Sequence, residues 1–286
     1  VVTASPSQIL EISSLPSIKR IDKVIHHKIT SVENITDIEV IKADLVWSKE
    51  IDGVAITGKG ISVGVLDTGI DYNHPDLGGC FGDDCKVYGG YDFVNNDDAP
   101  FDDENHGTHV SGIIAANGKL KGIAPDADLL AVKVCDEYGY CSTTDIIEGL
   151  EFSLDPDGDP ETDDSVDVIN MSLGSSSHDS ALMEAVNNTV EQGVVVVASA
   201  GNDGSNKNMI GSPADAEKAI TVAASDGGNN IANFSSRGLP SSGSSILKPE
   251  VAAPGVSINS SLPGGEYGQL SGTSMASPMV TGVVAL

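Results

Sequence analysis

Residues 60–71, GISVGVLDTGID, contain a nearly continuous apolar run from Ser62 to Leu66 that ends in Asp67. Such a run is typical of a strand that is buried on both faces in a parallel sheet. In open α/β sheets, sites form at the carboxyl ends of the strands. The sequence therefore predicts a buried strand here, with Asp67 at the functional end of a sheet.

Downstream of this strand, short apolar runs alternate with helical patterns. The predicted strands are LLAVKV, VDVINMSL, VVVVAS, AITVAAS and EVAAPG, and the predicted helices between them are TTDIIEGLEFSL and SALMEAVNNTVEQG. Strands and helices alternating at these lengths predict an α/β fold with a doubly wound, mostly parallel sheet flanked by helices. Residues 1–40 lack the Gly-rich loops of the rest, so we expect them to be a linker and the end of a preceding unit, with residues 41–286 as the main domain.

The charge balance excludes some partners. The 286 residues include 15 Lys and Arg against 42 Asp and Glu, a formal net charge of −27. This charge repels nucleic-acid phosphates and anionic membrane surfaces, and no apolar stretch reaches the roughly 18 to 20 residues of a membrane span. We therefore expect neither nucleic acid nor membrane as a partner.

The four cysteines form two close pairs, Cys80 with Cys85 and Cys135 with Cys141. Their spacing is not the CxxC spacing of a zinc site, so two local disulfides or four free thiols are the alternatives. Disulfides would place the protein in an oxidising compartment and predict that it is secreted or extracellular.

Two polar residues stand where helical patterns begin. In HGTHVSGIIAANG, His106 begins a helix that Asn117-Gly118 ends. In SGTSMASPMV, Ser274 lies beside a helix start, where partly positive backbone amides face outward. Each has a non-catalytic alternative, because His106 could be an ordinary helix-start histidine like His109 and Ser274 could merely cap its helix.

Four blocks together resemble the subtilisin-like serine protease family, peptidase S8: VLDTGIDYNHPDL, HGTHVSGIIAA, ASAGNDG and SGTSMASPMV. With NMSLG and FSSRG they extend over about residues 60–286. The resemblance implies a serine endopeptidase in which Asp67 orients His106, and His106 takes the proton of Ser274 for attack on a peptide carbonyl. The order Asp, His, Ser along the chain is also the order that this family has. The side-chain amide of Asn202 and the backbone N–H of Ser274 are implied as the oxyanion hole.

Substrate contacts are implied by the same resemblance. An extended peptide would pair its backbone with residues 172–174 on one side and residues 138–140 on the other, with a wall of the main specificity pocket beside them. The implied substrate-binding residues are Ser172, Leu173, Gly174, Gly139, Ala200 and Gly201. The expected partners are polypeptide substrates and the protein's own pro-segment, and no cofactor is expected for catalysis.

Three further features follow from the resemblance. The segments GGCFGDDCKVYGGYDFV and VCDEYGYCSTTDII look most like the Vpr-like minor extracellular branch, although the protease-associated domain that is common there has no room between Asn202 and Ser274. Residues 1–40 look like the tail of a pro-segment. Family members continue with further helices after the serine helix, so the fold is expected to be truncated at the C-terminus.

The acidic stretch DPDGDPETD places carboxylates at alternate positions around a glycine. Carboxylates in such a turn can converge on calcium, and the candidate ligands are Asp155, Asp157, Asp159 and Asp163. A solvated acidic loop is the alternative. Asp76 matches a calcium ligand of the family, but the loop ANGKLKGIAP is shorter than the family's version, so that site is expected to be missing.

Other interpretations stay open at this point. Asp102, Asp103 and Glu104, just before His106, could raise the basicity of the histidine or simply be solvated. The chain could be a catalytically silent peptide-binding or scaffold protein on the same fold. An esterase is the third alternative, but esterases usually present their serine as G-x-S-x-G, which GTSMA does not match.

Overall fold

Eleven strands and five α-helices make up the part of the chain that the computed structural model describes, namely residues 40–159, 161–205, 209–228, 230–241, 243 and 245–286. The strands are β1 (Glu50–Ile51), β2 (Val54–Ala55), β3 (Ser62–Asp67), β4 (Val87–Asp92), β5 (Asp128–Lys133), β6 (Val168–Met171), β7 (Val195–Ser199), β8 (Ile220–Ser225), β9 (Val251–Pro254), β10 (Ile258–Leu262) and β11 (Glu266–Leu270). The helices are α1 (Ala43–Trp47), α2 (His106–Ala115), α3 (Thr143–Leu154), α4 (Ser180–Glu191) and α5 (Thr273–Ala285). The predicted pro-segment tail, residues 1–40, lies outside the described residues apart from Val40.

Seven of the strands form one parallel sheet in the order β4-β5-β3-β6-β7-β8-β9. The predicted doubly wound α/β fold is thereby confirmed. Strand β3 lies between β5 and β6, where the chain changes direction across the sheet, and Asp67 at its carboxyl end pairs in register with Lys133. Such a switch point leaves a crevice at the strand ends, which positions the site described below.

Alternating residues of β3 bury their side chains on opposite faces of the sheet. Val63 and Val65 pack in one hydrophobic cluster with residues of α2 and α5, whereas Leu66 packs in a second cluster with residues of α3 and α4. The strand is apolar on both faces because helices cover both faces. Two layers of helices thus hold β3 rigidly, and its end can present a fixed carboxylate.

Some elements were not predicted from the sequence. Strand β4 reads VYGGYD and the antiparallel hairpin of β10 and β11 reads INSSL and EYGQL. Glycines and serines dilute the apolar pattern in these segments, so periodicity alone does not identify them. Their strand conformation is decided by pairing with neighbours.

Both cysteine pairs form disulfides, Cys80 with Cys85 and Cys135 with Cys141, which confirms the predicted pairing. The second disulfide closes a loop whose two cysteines also face each other as an antiparallel bridge. Among the described residues, no helix combines the length and apolar character needed to cross a membrane.

Candidate active site

Asp67 and His106 meet at the carboxyl end of β3. The Nδ1 atom of His106 lies 2.7 Å from Oδ1 of Asp67, and the same oxygen accepts the N–H of Thr68 at 2.8 Å. The two side chains approach because residue 107 is glycine: a Cβ there would lie 2.1 Å from the carbonyl oxygen of Gly69. The start of α2 can therefore pack directly against the turn that follows β3.

The environment of His106 makes it a stronger base than free histidine. Burial alone would lower its pKa, but the charge and hydrogen bond of Asp67, with Glu104 and Asp102 nearby, raise the pKa to about 8. A carboxylate next to an imidazole favours the charged imidazolium. The group that would accept a proton in catalysis thus has a stabilised protonated form.

Ser274 lies in the first turn of α5, on the same cleft as His106. Its hydroxyl donates to the carbonyl oxygen of Ser172 at 3.0 Å, and the Ser172 hydroxyl donates to the carbonyl oxygen of Ser274 at 2.8 Å. No hydrogen bond joins Ser274 to His106 in the described part of the chain. A hydrogen bond between the two side chains must therefore form before the serine proton can pass to the imidazole, and catalytic hydrogen bonds are often unformed without substrate.

Asn202 is oriented by its side-chain oxygen. Its Oδ1 accepts the N–H of Thr273 at 2.9 Å and the hydroxyl of Thr273 at 3.1 Å, which leaves the Nδ2 donors on the other side of the amide. A Cβ added to Gly272 would lie 3.5 Å from Nδ2 of Asn202 and 3.6 Å from the backbone nitrogen of Ser274. Both nitrogens therefore border one small space, which stays open because residue 272 has no side chain.

These residues line one cleft of about 560 Å³. All of the residues predicted for catalysis and substrate binding are among its lining residues, namely Asp67, His106, Ser274, Asn202, Ser172, Leu173, Gly174, Gly139, Ala200 and Gly201. They come from six separate segments of the chain. The fold thus brings together side chains whose proximity no local pattern could demonstrate.

Asp102 is a structural partner of the site whose contacts the sequence did not reveal. It is buried, and it accepts the hydroxyls of Thr68 at 2.8 Å and Thr108 at 2.5 Å, as well as the N–H of Thr108 at 2.9 Å. The Thr68 hydroxyl in turn accepts the N–H of Gly107 at 2.9 Å. Burial raises the pKa of Asp102 although these hydrogen bonds oppose the rise. The carboxylate therefore ties the end of β3 to the start of α2, and it is not a solvated surface group.

Asn170 is a second buried group that sequence analysis missed. Its Oδ1 accepts the hydroxyls of Ser277 and Thr281, both at 2.9 Å, and its Nδ2 donates to the Ser172 hydroxyl at 2.9 Å. Because Ser172 also bonds the carbonyl oxygen of Ser274, a chain of hydrogen bonds connects β6 to the serine helix. A polar residue in the middle of the apolar strand VINM was the signal that could have identified it.

The acidic loop after α3 groups its carboxylates differently from the predicted set. Asp155, Asp157 and Asp164 each offer an oxygen, and these oxygens lie within 4.8 Å of one another. Asp159 and Asp163 are not in this group, and Oδ1 of Asp159 accepts the N–H of Glu161 at 3.1 Å. The Oδ1 atom of Asp155 is buried without a hydrogen-bond partner among the described residues. A hard cation would satisfy that oxygen, so the three residues fit a calcium ion.

Asp76 is a buried carboxylate that accepts hydrogen bonds from the loop after α2 and from β11. Its two oxygens accept the N–H groups of Lys119 and Leu120, both at 2.8 Å, and the hydroxyl of Tyr267 at 3.0 Å. The short loop after α2 supplies these backbone donors. The carboxylate thus fixes the loop directly.

Comparison with known protein sequences finds one matching family model and several similar proteins. The family model Peptidase_S8, described as the subtilase family, matches residues 58–286. Subtilisin amylosacchariticus of Bacillus subtilis subsp. amylosacchariticus is 39% identical over 292 aligned positions, which cover 99% of this chain and 68% of that protein. Subtilisin DY of Bacillus licheniformis is 41% identical over 255 positions, covering 87% of this chain and 82% of its own length. Serine protease AprX of Bacillus subtilis is 38% identical over 273 positions, covering 84% of this chain and 60% of its own.

Proposed function

The chain belongs to the subtilase family and is a serine endopeptidase, and on this premise we propose that Asp67, His106 and Ser274 form its catalytic triad. The observation that carries the proposal is the 2.7 Å contact between His106 and Asp67 in the cleft that Ser274 also lines. A carboxylate on Nδ1 leaves Nε2 of the imidazole free to accept a proton.

The proposed reaction begins when Ser274 turns from the carbonyl of Ser172 toward Nε2 of His106. The imidazole takes the hydroxyl proton while the oxygen attacks the peptide carbonyl, and Asp67 stabilises the imidazolium. The imidazolium then protonates the leaving amine, which gives an acyl-enzyme. Water deprotonated by His106 attacks the acyl carbon and releases the second product. No cofactor is needed in these steps.

The developing oxyanion would occupy the space beside Gly272. Nδ2 of Asn202 and the backbone N–H of Ser274 border this space, and Thr273 holds the Asn202 amide in the orientation that directs Nδ2 there. Donors held in place before the reaction stabilise the transition state without reorganising. The extended substrate would pair its backbone with residues 172–174, which continue from β6.

Replacing Ser274 by Ala in the full-length precursor tests the triad. We expect loss of casein hydrolysis and of self-processing, together with loss of fluorophosphonate labelling, because the nucleophile is removed. Circular dichroism and melting temperature should stay close to those of the parent. A parent protein that is folded and processed yet takes no label at Ser274 would favour the alternative, a catalytically silent peptide-binding or scaffold protein.

Three finer features complete the proposal. Residues 1–40 are the tail of a pro-segment that is removed after folding, and residues 41–286 form the peptidase domain. The protein is secreted, which its two disulfides support. The segments around these disulfides support assignment to the Vpr-like branch.

Calcium is proposed as a structural ion held by Asp155, Asp157 and Asp164. Three carboxylates this close repel one another, and a divalent ion would neutralise that repulsion and satisfy the buried Oδ1 of Asp155. An ion that binds only the folded chain stabilises it by about 2.7 kcal/mol at a hundredfold excess over its dissociation constant.

The calcium proposal predicts a melting temperature that depends on the ion. EDTA should lower it by several degrees and added calcium should restore it, whereas Asp155→Asn should remove most of this response. Asp226→Asn, an exposed carboxylate in another loop, is the matched control and should respond like the parent. An unchanged melting temperature in EDTA would leave a solvated acidic loop as the explanation.

A further inference from the structure

We propose that His178 and Asp215 are positioning residues of the cleft, and that their contact holds the substrate-binding edge of residues 172–174 in the conformation that an extended peptide needs. The inference rests on the proposed function, because that function assigns the peptide to this cleft. What it adds is the pair of side chains that keeps the edge ready for the substrate.

Asp215 is a buried carboxylate with a side-chain donor on each oxygen. Its side chain is fully buried, and Nδ1 of His178 lies 2.6 Å from its Oδ2. The hydroxyl of Ser212 donates to its Oδ1 at 2.7 Å. A buried acceptor that loses a donor is destabilised, because it has given up water without a replacement. Both donors are therefore needed to keep the carboxylate where it lies.

The contact between His178 and Asp215 joins two separate segments of the chain. His178 ends the segment of residues 174–178, which continues from the substrate-binding edge and is exposed along its length. Asp215 ends the turn of residues 211–215, which is buried along its length. An exposed segment has few neighbours that fix its conformation. Its attachments to the buried turn therefore decide where it lies.

Backbone groups also attach the exposed segment to the buried turn. The N–H of Ser175 donates to the carbonyl oxygen of Ser212 at 3.1 Å, and the N–H of Ser212 donates to the carbonyl oxygen of Ser177 at 2.9 Å. The N–H of Asp179 donates to the Ser212 hydroxyl at 2.8 Å. Because the same hydroxyl donates to Asp215, the carboxylate orients the oxygen that accepts this N–H.

Both segments form part of the cleft wall. The residues that line the cleft include Gly174, Ser175, Gly211 and Ser212. His178 and Asp215 do not line it, so they act on the substrate only through these neighbours. A displacement of either segment would change the surface against which an extended peptide lies.

The other end of the substrate-binding edge is anchored independently. The hydroxyl of Ser172 donates to the carbonyl oxygen of Ser274 and accepts the side-chain amide of Asn170. Loss of the contact between His178 and Asp215 should therefore leave the surroundings of Ser274 in place. The substrate would have to order a loosened edge, and its apparent affinity would fall in proportion to the fraction of molecules already ordered. The expected effect is on KM and not on kcat.

Two substitutions of His178 test the hydrogen bond. His178→Phe keeps a ring and removes the donor, whereas His178→Asn keeps a side-chain N–H group near the position of Nδ1. We would measure kcat and KM of the processed enzyme for acetyl-Ala-Ala-Pro-Leu-p-nitroanilide, well below the melting temperature of each variant. His178→Phe should raise KM about tenfold, with kcat within about twofold of the parent, if about one molecule in ten keeps the ordered edge. His178→Asn should restore most of the lost affinity.

Tyr267→Phe is the matched control, because it also removes one donor from a buried carboxylate and keeps an aromatic ring. The hydroxyl of Tyr267 donates to Oδ2 of Asp76 at 3.0 Å, and neither residue lines the cleft. We expect a lower melting temperature with unchanged KM. Ser212→Ala removes the donor to Oδ1 of Asp215, so it should also raise KM and serves as the test if His178→Phe does not fold.

The outcomes separate this proposal from the proposed function. An unchanged KM in folded His178→Phe would overturn the positioning role and leave the endopeptidase assignment intact. An equal rise of KM in Tyr267→Phe would overturn it too, because lower stability would then explain both. A rise that His178→Asn does not reverse would overturn the role of the hydrogen bond to Asp215. A parent protein that neither cleaves the substrate nor takes the fluorophosphonate label would contradict the triad, and this proposal with it.

Discussion

The cleft side and the core side of helix α2 each carry a histidine, and the pKa values of these two histidines differ by about four. His106 faces the cleft and Asp67, and its pKa is raised to about 8. His109, one turn later, is buried, and its pKa is lowered to about 4, chiefly by desolvation. The residue type and the helix are shared, so the neighbouring groups decide whether the imidazole is a proton acceptor or a neutral packing group.

The hydrogen bonds of the two rings show the same division. Nδ1 of His106 lies against a carboxylate, whereas Nε2 of His109 donates to the carbonyl oxygens of Ile258 at 3.0 Å and Gly268 at 3.1 Å. Carbonyl acceptors hold a neutral ring in place but provide no full negative charge to offset desolvation. His109 therefore joins α2 to the hairpin of β10 and β11.

The largest expected difference between the two sides concerns turnover. His106→Ala should lower kcat by a factor on the order of 10⁴ to 10⁶, the range that loss of single triad members sets in subtilisin itself, while the melting temperature changes little. Steady-state hydrolysis of a peptide nitroanilide and a thermal melt would measure both. Retention of more than a tenth of kcat would remove His106 from the proposed triad.

The second prediction uses the pKa of His106. The imidazole must be neutral to accept the Ser274 proton, so kcat/KM should rise about tenfold per pH unit below a midpoint near pH 8 and level off above it. A pH profile of kcat/KM with a neutral substrate measures this midpoint. A midpoint below about 6 would show that Asp67 does not raise the basicity of His106 as inferred.

On the core side, the predicted effect is on stability. Below pH 6.5 the histidine of the unfolded chain takes up a proton, whereas His109 in the folded chain stays neutral down to about pH 4. The unfolded state then binds more protons, so stability should fall by roughly 3 kcal/mol as the pH drops from about 6.5 to about 4.

Urea titrations of the parent and of His109→Phe across this pH range would isolate the contribution of His109 to the free energy of unfolding. The variant should be less stable at pH 7, because two carbonyl oxygens lose their donor, but it should lose less stability on acidification. If the free energy of unfolding changed with pH identically in both proteins, His109 would not be the source of the acid sensitivity. The kcat/KM midpoint near pH 8 should persist in His109→Phe.

The smallest expected effect concerns Asp102, which lies behind the cleft-side histidine. Asp102→Asn replaces one carboxylate oxygen by an NH₂ group, so either Thr68 or Thr108 loses its acceptor. We expect a loss of about 1 to 3 kcal/mol of stability and about a tenfold lower kcat with KM nearly unchanged. Ser153→Ala, which removes a buried hydroxyl that donates to the carbonyl oxygen of Gly149 in the same helix, is the control for a pure stability loss. Equal kcat in the two variants would make Asp102 merely structural.

The local apolar pattern was sufficient to predict the strands that make up most of the sheet. The predicted helix at residues 143–154 has the observed bounds, and the predicted strand beginning at Ser62 extends one residue further, to Asp67. Pattern was insufficient for β4 and the β10 and β11 hairpin, because glycine and serine weaken their alternation. It also did not identify Asp164 as the partner of Asp155 and Asp157, since the loop folds back on itself after Gly158.

The amino-acid sequence by itself determined the parallel α/β fold, because apolar periodicity is encoded locally, and the resemblance of its motifs to one family indicated Asp67, His106, Ser274 and Asn202 as the candidate site residues. Only the tertiary structure decided which charges those residues meet. The 2.7 Å contact between His106 and Asp67, and the buried hydrogen bonds of Asp102, join segments that are far apart along the chain. Electrostatic environment depends on distance and burial in three dimensions, which residue order does not specify.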